Sequence, residues 1–214
     1  MIRFTLFDLH NIVSTAPLRP LLMLGLVAVI GATAPVQGAA IMVGGYMGAM
    51  LLSSVFLTDE RGRLDALYGL SRVSRTAVVF GRYATALVVG AGTSAFGFVV
   101  ALVIVAIHRS RVEWTLMGLM ALGAFVVAVI SISALLPWYF AMGYARGRQA
   151  MLVLIIALVG LGWLGSRTSI FDGATIAALM DDGAGITAII LVAGLAVLTA
   201  SAALASRLYR NRNL

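Results

Sequence analysis

Long apolar runs alternate with short polar segments along almost the whole chain. Six of these runs read as membrane-spanning helices, since a helix needs roughly 20 residues to cross a bilayer. The predicted spans cover about residues 18–34, 39–57, 77–107, 114–139, 149–164 and 186–205. The pattern therefore predicts an all-α, polytopic membrane protein with six transmembrane helices, in which residues 1–214 form a single transmembrane domain.

Composition agrees with the hydrophobic pattern. Of the 214 residues, 62% are hydrophobic and 11% are charged, whereas soluble domains carry about 25% charged residues. So few polar side chains cannot cover the surface of a soluble globule of this size. We therefore expect membrane lipid to surround most of the protein.

The segment before the first span mixes apolar and polar side chains. At helical spacing, Ile2, Leu6 and Leu9 fall on one side, and Arg3 and His10 fall on another. A short helix with such faces lies well at the boundary between headgroups and acyl chains. The sequence thus predicts an N-terminal interfacial helix.

The second predicted span contains two glycines, Gly44 and Gly48, at GxxxG spacing. Small residues at this spacing allow two helices to approach closely in lipid. The motif predicts tight helix packing at these positions, but it does not identify the partner helix.

Arginine is distributed unevenly between the two sides of the predicted topology. All 15 basic residues are arginine, and the formal net charge is +7. With the N-terminus inside, only Arg109, Arg111 and Arg167 fall in outer segments. The positive-inside rule then places both termini in the cytoplasm and the protein in the plasma or inner cell membrane. This rule explains the positive charge without a nucleic-acid partner.

One polar segment, residues 58–83, is far richer in charge than the others, and we call it the charged island. Leu64, Leu67 and Tyr68 have the i, i+3, i+4 spacing of one helix face, behind acidic residues that favour a helix start. The pattern predicts a short amphipathic helix from Asp59 to Leu70; the alternative is a solvated loop. A helix there would suit docking of a partner protein. The expected docking residues are Asp59, Glu60, Arg61, Arg63, Leu64, Leu67, Tyr68, Arg72 and Arg75.

Several kinds of chemistry are excluded by residues that the sequence lacks. There is no cysteine for a thiol nucleophile or thiolate metal site, and no lysine for a P-loop. The two histidines, His10 and His108, fall on opposite sides of the predicted membrane. No predicted span holds a clear ionisable residue in its interior, which argues against proton or sodium coupling. We expect a non-catalytic protein with no metal site and no cofactor of its own.

The second half of the island carries a recognisable motif. Residues 73–75 read Val-Ser-Arg, residues 78–79 are both Val, and residues 81–83 read Gly-Arg-Tyr before the third span. This stretch resembles the permease subunits of ABC-2 type transporters, in the small six-span family without large outer domains. Arg72 stands where that family usually has proline, and Ser71 where it has leucine.

The resemblance implies a role in ATP-driven export. It suggests a homo- or heterodimer of permease subunits bound to two cytoplasmic ABC ATPase subunits, which bind the ATP. The helix from Asp59 to Leu70 would then be the cytoplasmic coupling helix between spans two and three. The exported compound is expected to be apolar or amphipathic: a peptide, a drug or a lipid-like molecule.

Two other classes of function remain open from the sequence. One is a stand-alone secondary transporter or channel subunit, which would work without an ATPase. The other is a non-transporting membrane protein that senses an antimicrobial compound or confers immunity to it.

Overall fold

The computed structural model describes residues 5, 8, 10, 12, 14, 18–34, 36–62, 75–167 and 183–210. All regular secondary structure within these residues is helical, which confirms the predicted fold class. The long helices are α1 (Leu18–Thr33), α2 (Ala39–Gly62), α3 (Arg75–Ile107), α4 (Trp114–Arg167) and α5 (Gly183–Arg210).

Four helical segments in the described part of the chain are long and apolar enough to cross a membrane. They are Ala39–Leu57, Thr76–Ile107, Trp114–Tyr144 and Gly183–Arg210. Helix α1 is also apolar, but it is shorter, with 16 residues. The protein is therefore a membrane protein with several apolar helices, and the count of six spans stays a prediction.

Helices α2 and α3 pack backbone against backbone. A Cβ atom at Gly48 would lie 2.7 Å from the Thr93 Oγ1 atom and against the Gly90 backbone, and one at Gly44 would meet the Thr93 carbonyl. The Thr93 hydroxyl in turn donates a hydrogen bond of 2.6 Å to the Gly44 carbonyl oxygen. In lipid, such close contact and interhelical hydrogen bonding hold helices together. The GxxxG residues thus face α3.

The other helices assemble on this pair. Gly45 of α2 faces α4, where an added Cβ would lie 2.7 Å from the Ala124 carbonyl oxygen. Gly194 of α5 faces the ring of Phe125 on α4, where a Cβ would lie 2.7 Å from the ring's Cε1 atom. Helix α1 packs against both α2 and α3. The bundle therefore contains the α2–α3 pair with α4 beside α2 and α5 beside α4.

The two ends of the bundle differ. We call the end where α2 finishes and α3 begins the island end, and the opposite one the distal end. At the distal end, the Gln37 side-chain nitrogen Nε2 donates a hydrogen bond of 3.0 Å to the Arg111 carbonyl oxygen. The Glu113 N–H donates one of 3.2 Å to Gln37 Oε1. Gln37 therefore joins the α1–α2 turn to the α3–α4 loop.

Helix α4 contains a sharp elbow at Gly143, whose φ of 78° and ψ of 179° are not helical. Beyond it, Gly147 lies against the Tyr139 ring, and the Tyr139 hydroxyl lies 3.9 Å from the Met151 Sδ atom. A straight helix would separate Tyr139 and Met151 by about 18 Å along its axis. The chain therefore turns back at Gly143. The predicted spans 114–139 and 149–164 both fall within α4, and the break in helical geometry between them is this one glycine.

The close contact between α2 and α3 makes Gly48 sensitive to added volume. We expect Gly48→Val to lower the free energy of unfolding by about 1–3 kcal/mol, because an overpacked interface must shift to admit the side chain. The melting temperature in detergent measures the effect. Gly92→Val is the matched control on α3, since a Cβ there meets nothing within 4 Å. Equal melting temperatures for the two variants would contradict the packing described here.

Candidate functional site

The structure describes only part of the charged island. Helix α2 continues through Gly62, so Asp59, Glu60 and Arg61 extend the helix of the preceding span, and no new helix begins at Asp59. Arg75 is the first residue of α3. Residues 63–74 lie outside the described residues, and the predicted coupling helix stays a prediction. The predicted docking residues in that gap are Arg63, Leu64, Leu67, Tyr68 and Arg72.

Arg82 is the charged residue of the island that the structure shows to be buried. The segment Thr76–Ile107 that is long enough to span a membrane contains Arg82, and the Arg82 side chain is only 1% exposed. Its Nε atom lies 3.3 Å from Oδ2 of Asp8, whose side chain is equally buried. The Arg82 side chain is therefore shielded from solvent by the described residues, although the helical segment that contains it is long and apolar enough to span a membrane.

The N-terminal segment brings Asp8 to Arg82. Thr5, Asp8 and Ile12 are helical and spaced three and four residues apart, so they share one helix face. The Thr5 hydroxyl donates a hydrogen bond of 3.4 Å to the Gly81 carbonyl oxygen, and Ile12 joins the main apolar core. This face lies against α3. The predicted apolar face of Ile2, Leu6 and Leu9 falls outside the described residues.

An ion pair explains how Arg82 can be buried here. A lone charge inside a membrane protein is costly, so such residues pair with each other or line a water-filled cavity. Asp8 is the only acidic residue before Asp59 in the sequence, and it provides the counter-charge. Two features of the sequence were consistent with this pair: the uniqueness of Asp8 and the position of Arg82 two turns into α3. Neither feature predicts that the two side chains are in contact.

A cluster of aromatic side chains lies on the other side of Arg82. Its Cζ atom lies 4.5 Å from the centroid of the Phe56 ring, within the range of a cation–π interaction. Phe56 stacks on Tyr139 with ring centroids 4.9 Å apart, and it meets Phe140 edge-on at 5.3 Å. Phe140 reaches Tyr209 of α5 at 5.2 Å. The guanidinium therefore contacts one ring, Phe56, of a continuous cluster of rings from three helices.

The N-terminal segment and four helices thus meet at one point, which we call the junction. Its members are Asp8, Phe56, Arg82, Tyr139, Phe140 and Tyr209. A cavity of about 80 Å³ opens beside it, with Glu60 at the end of α2 and the elbow residue Gly143 among its walls. The junction lies at the island end. Its described contacts connect the ends of several helices.

A hydrogen-bonded chain lies beside the junction, one residue along α3. The Tyr83 hydroxyl lies 2.7 Å from Ser201 Oγ of α5, and Ser201 Oγ donates a hydrogen bond of 2.9 Å to the Ser133 carbonyl oxygen of α4. A serine hydroxyl has one hydrogen, so Tyr83 is the donor to Ser201. This chain joins α3, α5 and α4 independently of the ion pair.

Comparison with known protein families finds a match over nearly the whole chain. Residues 9–210 match the family described as ABC-2 family transporter protein. No curated protein matches the chain. The matched range includes every long helix of the fold, both sides of the island, and all members of the junction except Asp8.

The elbow in α4 provides a test of the junction geometry. The backbone angles of Gly143 lie in a region open essentially to glycine alone. We expect Gly143→Ala to lower the free energy of unfolding by about 1–3 kcal/mol, because alanine must adopt a strained backbone conformation there. Thermal unfolding in detergent measures the change. Gly118→Ala is the control in the same helix, since its Cβ meets nothing within 4 Å; an equal effect would exclude an elbow that requires glycine.

Proposed function

The chain belongs to the ABC-2 transporter family, and from this membership we propose that it is the membrane-spanning permease subunit of an ATP-driven ABC exporter. The observation that carries the proposal is the family match over residues 9–210. Permeases of this family are typically non-catalytic and generally work with a cytoplasmic ATPase. In our proposal, separate ATPase subunits bind and hydrolyse ATP, and this chain converts their movement into export.

The packing at the island end supports such a conversion. The island directly connects α2 and α3, which pack backbone against backbone at Gly44 and Gly48. A force applied to the island would therefore move the two helices together. The junction lies at the same end and also contacts α4, α5 and the N-terminal segment. We propose that the ATPase docks on the island, through Asp59, Glu60 and their neighbours, on the cytoplasmic side of the cell membrane.

Two apolar cavities support an apolar or amphipathic substrate. One, of about 490 Å³, lies between α3 and α4, and the other, of about 560 Å³, lies between α4 and α5. Ala121 and Phe125 line both of them. Volumes of this order match sites for drug-sized molecules. In the proposed assembly, two permease subunits and two ATPases form the complete exporter.

Charge reversal within the island tests ATPase docking. The variant Glu60→Arg/Arg61→Glu/Arg63→Glu keeps the number of charges but inverts the pattern that a partner would recognise. We expect vanadate-sensitive ATP hydrolysis that co-purifies with the tagged permease to fall about tenfold or more, as for lost interface hot spots. Insertion into the membrane, measured by the yield of monodisperse protein in detergent, should remain unchanged.

The distal end offers a control of matched charge. Arg109→Glu/Arg111→Glu/Glu113→Arg inverts two exposed basic residues and one exposed acidic residue there, and it should leave the co-purified ATPase at the wild-type level. Retention of the ATPase by the island variant would contradict docking at the island. If no ATPase accompanies the wild-type protein, and purified permease transports in liposomes under an ion gradient, a secondary transporter is the better description.

A further inference from the structure

We propose that the Asp8–Arg82 ion pair is a positioning element that transmits movement of the charged island to the elbow of α4. The inference rests on the proposed function, because it concerns how ATPase movement reaches the bundle. It assigns a role to the N-terminal segment, which lies far from the island in sequence. The contacts that connect the two run from Asp8 through Arg82 and Phe56 to Tyr139 and Gly143.

A charged pair, rather than apolar side chains, occupies this buried position. A buried ion pair is weak evidence for stability, since apolar residues of similar volume often stabilise a core equally well. Its particular property is that removal of one charge leaves the other buried without this partner, which is strongly destabilising. The pair fixes the Thr5–Asp8–Ile12 face on the first two turns of α3. Arg82, which lies near the end of the island, is thereby tied to the N-terminal segment when the island is pushed or pulled.

The contact between Arg82 and Phe56 links the two helices that carry the ends of the island. Arg82 lies on α3 and contacts Phe56 on α2, with its Cζ atom 4.5 Å from the ring centroid. Phe56 lies one helical turn before Glu60, at the end of α2 that enters the island. Displacement of the island therefore reaches this contact through both helices. Close-packed side chains pass such a displacement on, because protein interiors are poorly compressible.

Tyr139 connects Phe56 to the elbow. Phe56 stacks on Tyr139 with ring centroids 4.9 Å apart. The part of α4 that follows Gly143 packs against Tyr139. Gly147 lies flat against its ring, Tyr144 stacks on it at 6.3 Å, and Met151 meets its hydroxyl. A shift of Tyr139 changes the angle between the two halves of α4, and Gly143 is the residue that absorbs this change. Hinges commonly consist of a few such positions.

The absence of cysteine from the sequence allows a direct test that needs no knowledge of the substrate. Met142 precedes the elbow and is 46% exposed, so Met142→Cys introduces one thiol for maleimide labelling. The permease is purified with its ATPase, reconstituted into liposomes, and labelled either without nucleotide or trapped with ATP and vanadate. We expect trapping to change the labelling rate about fivefold or more, the lower range of coupling between linked sites.

The decisive background is Asp8→Asn/Arg82→Gln, which removes both charges of this ion pair together. We expect this variant to retain its ATPase and its ATP hydrolysis, while the labelling rate no longer responds to trapping. Asp8→Glu, which preserves the pair, should retain the response. Tyr83→Phe is the matched control, since it removes the neighbouring interhelical hydrogen bond to Ser201 but not the ion pair, and it should also respond normally.

Each possible outcome distinguishes between the two proposals. A full response in the neutral double variant, or loss of the response in Tyr83→Phe, would overturn the role of the ion pair, because the pair would then be dispensable or the effect a general loosening. An unchanged labelling rate in the wild-type background, with the ATPase bound, would overturn movement of the elbow while leaving the permease proposal intact. Absence of any ATPase from the wild-type preparation would remove both.

Discussion

The backbone contact between α2 and α3 is the constraint on which the rest of the bundle depends. In lipid there is little hydrophobic force between helices, so they associate by close packing and hydrogen bonds. Gly44 and Gly48 allow this approach, and the Thr93 hydroxyl reinforces it with a hydrogen bond to the Gly44 carbonyl. Gly45, one residue along, brings α4 to the other side of α2. Because the charged island begins in the last residues of α2 and ends in the first turns of α3, the same tight helix pair organises the fold and carries both ends of the island.

The junction shows how a charge is placed inside such a bundle without being exposed to lipid. Arg82 meets a carboxylate on one side and an aromatic ring on the other, and both partners come from other parts of the chain. The same contacts connect the N-terminal segment to α2 and α3, and the ring cluster continues to α4 and α5. Stability alone gives little reason to keep a buried ion pair. A role in fixing the relative positions of the helices gives a better one.

Membership of the ABC-2 transporter family gives these contacts a functional setting. In the proposed function, the permease receives movement from its ATPase at one end and uses it across the membrane. The island end combines a charged segment, a packed helix pair and an elbow that depends on a glycine, all within a few side-chain contacts of one another. The distal end differs, since there the Gln37 side chain joins the α1–α2 turn to the α3–α4 loop through two hydrogen bonds to the backbone of that loop.

The sequence by itself determined the membrane class, the helical fold and the family resemblance, because runs of apolar residues and local motifs are read from neighbouring positions. It also indicated close packing at Gly44 and Gly48, although not the helix that they meet. Only the tertiary structure showed that Asp8 pairs with Arg82 and that Phe56 stacks on Tyr139. It also showed that the break in helical geometry between predicted spans four and five is Gly143 alone. These features depend on contacts between residues far apart in the chain. Such contacts leave no periodic signal in the sequence, since each partner taken alone has the pattern of an ordinary interfacial charge, turn or core aromatic.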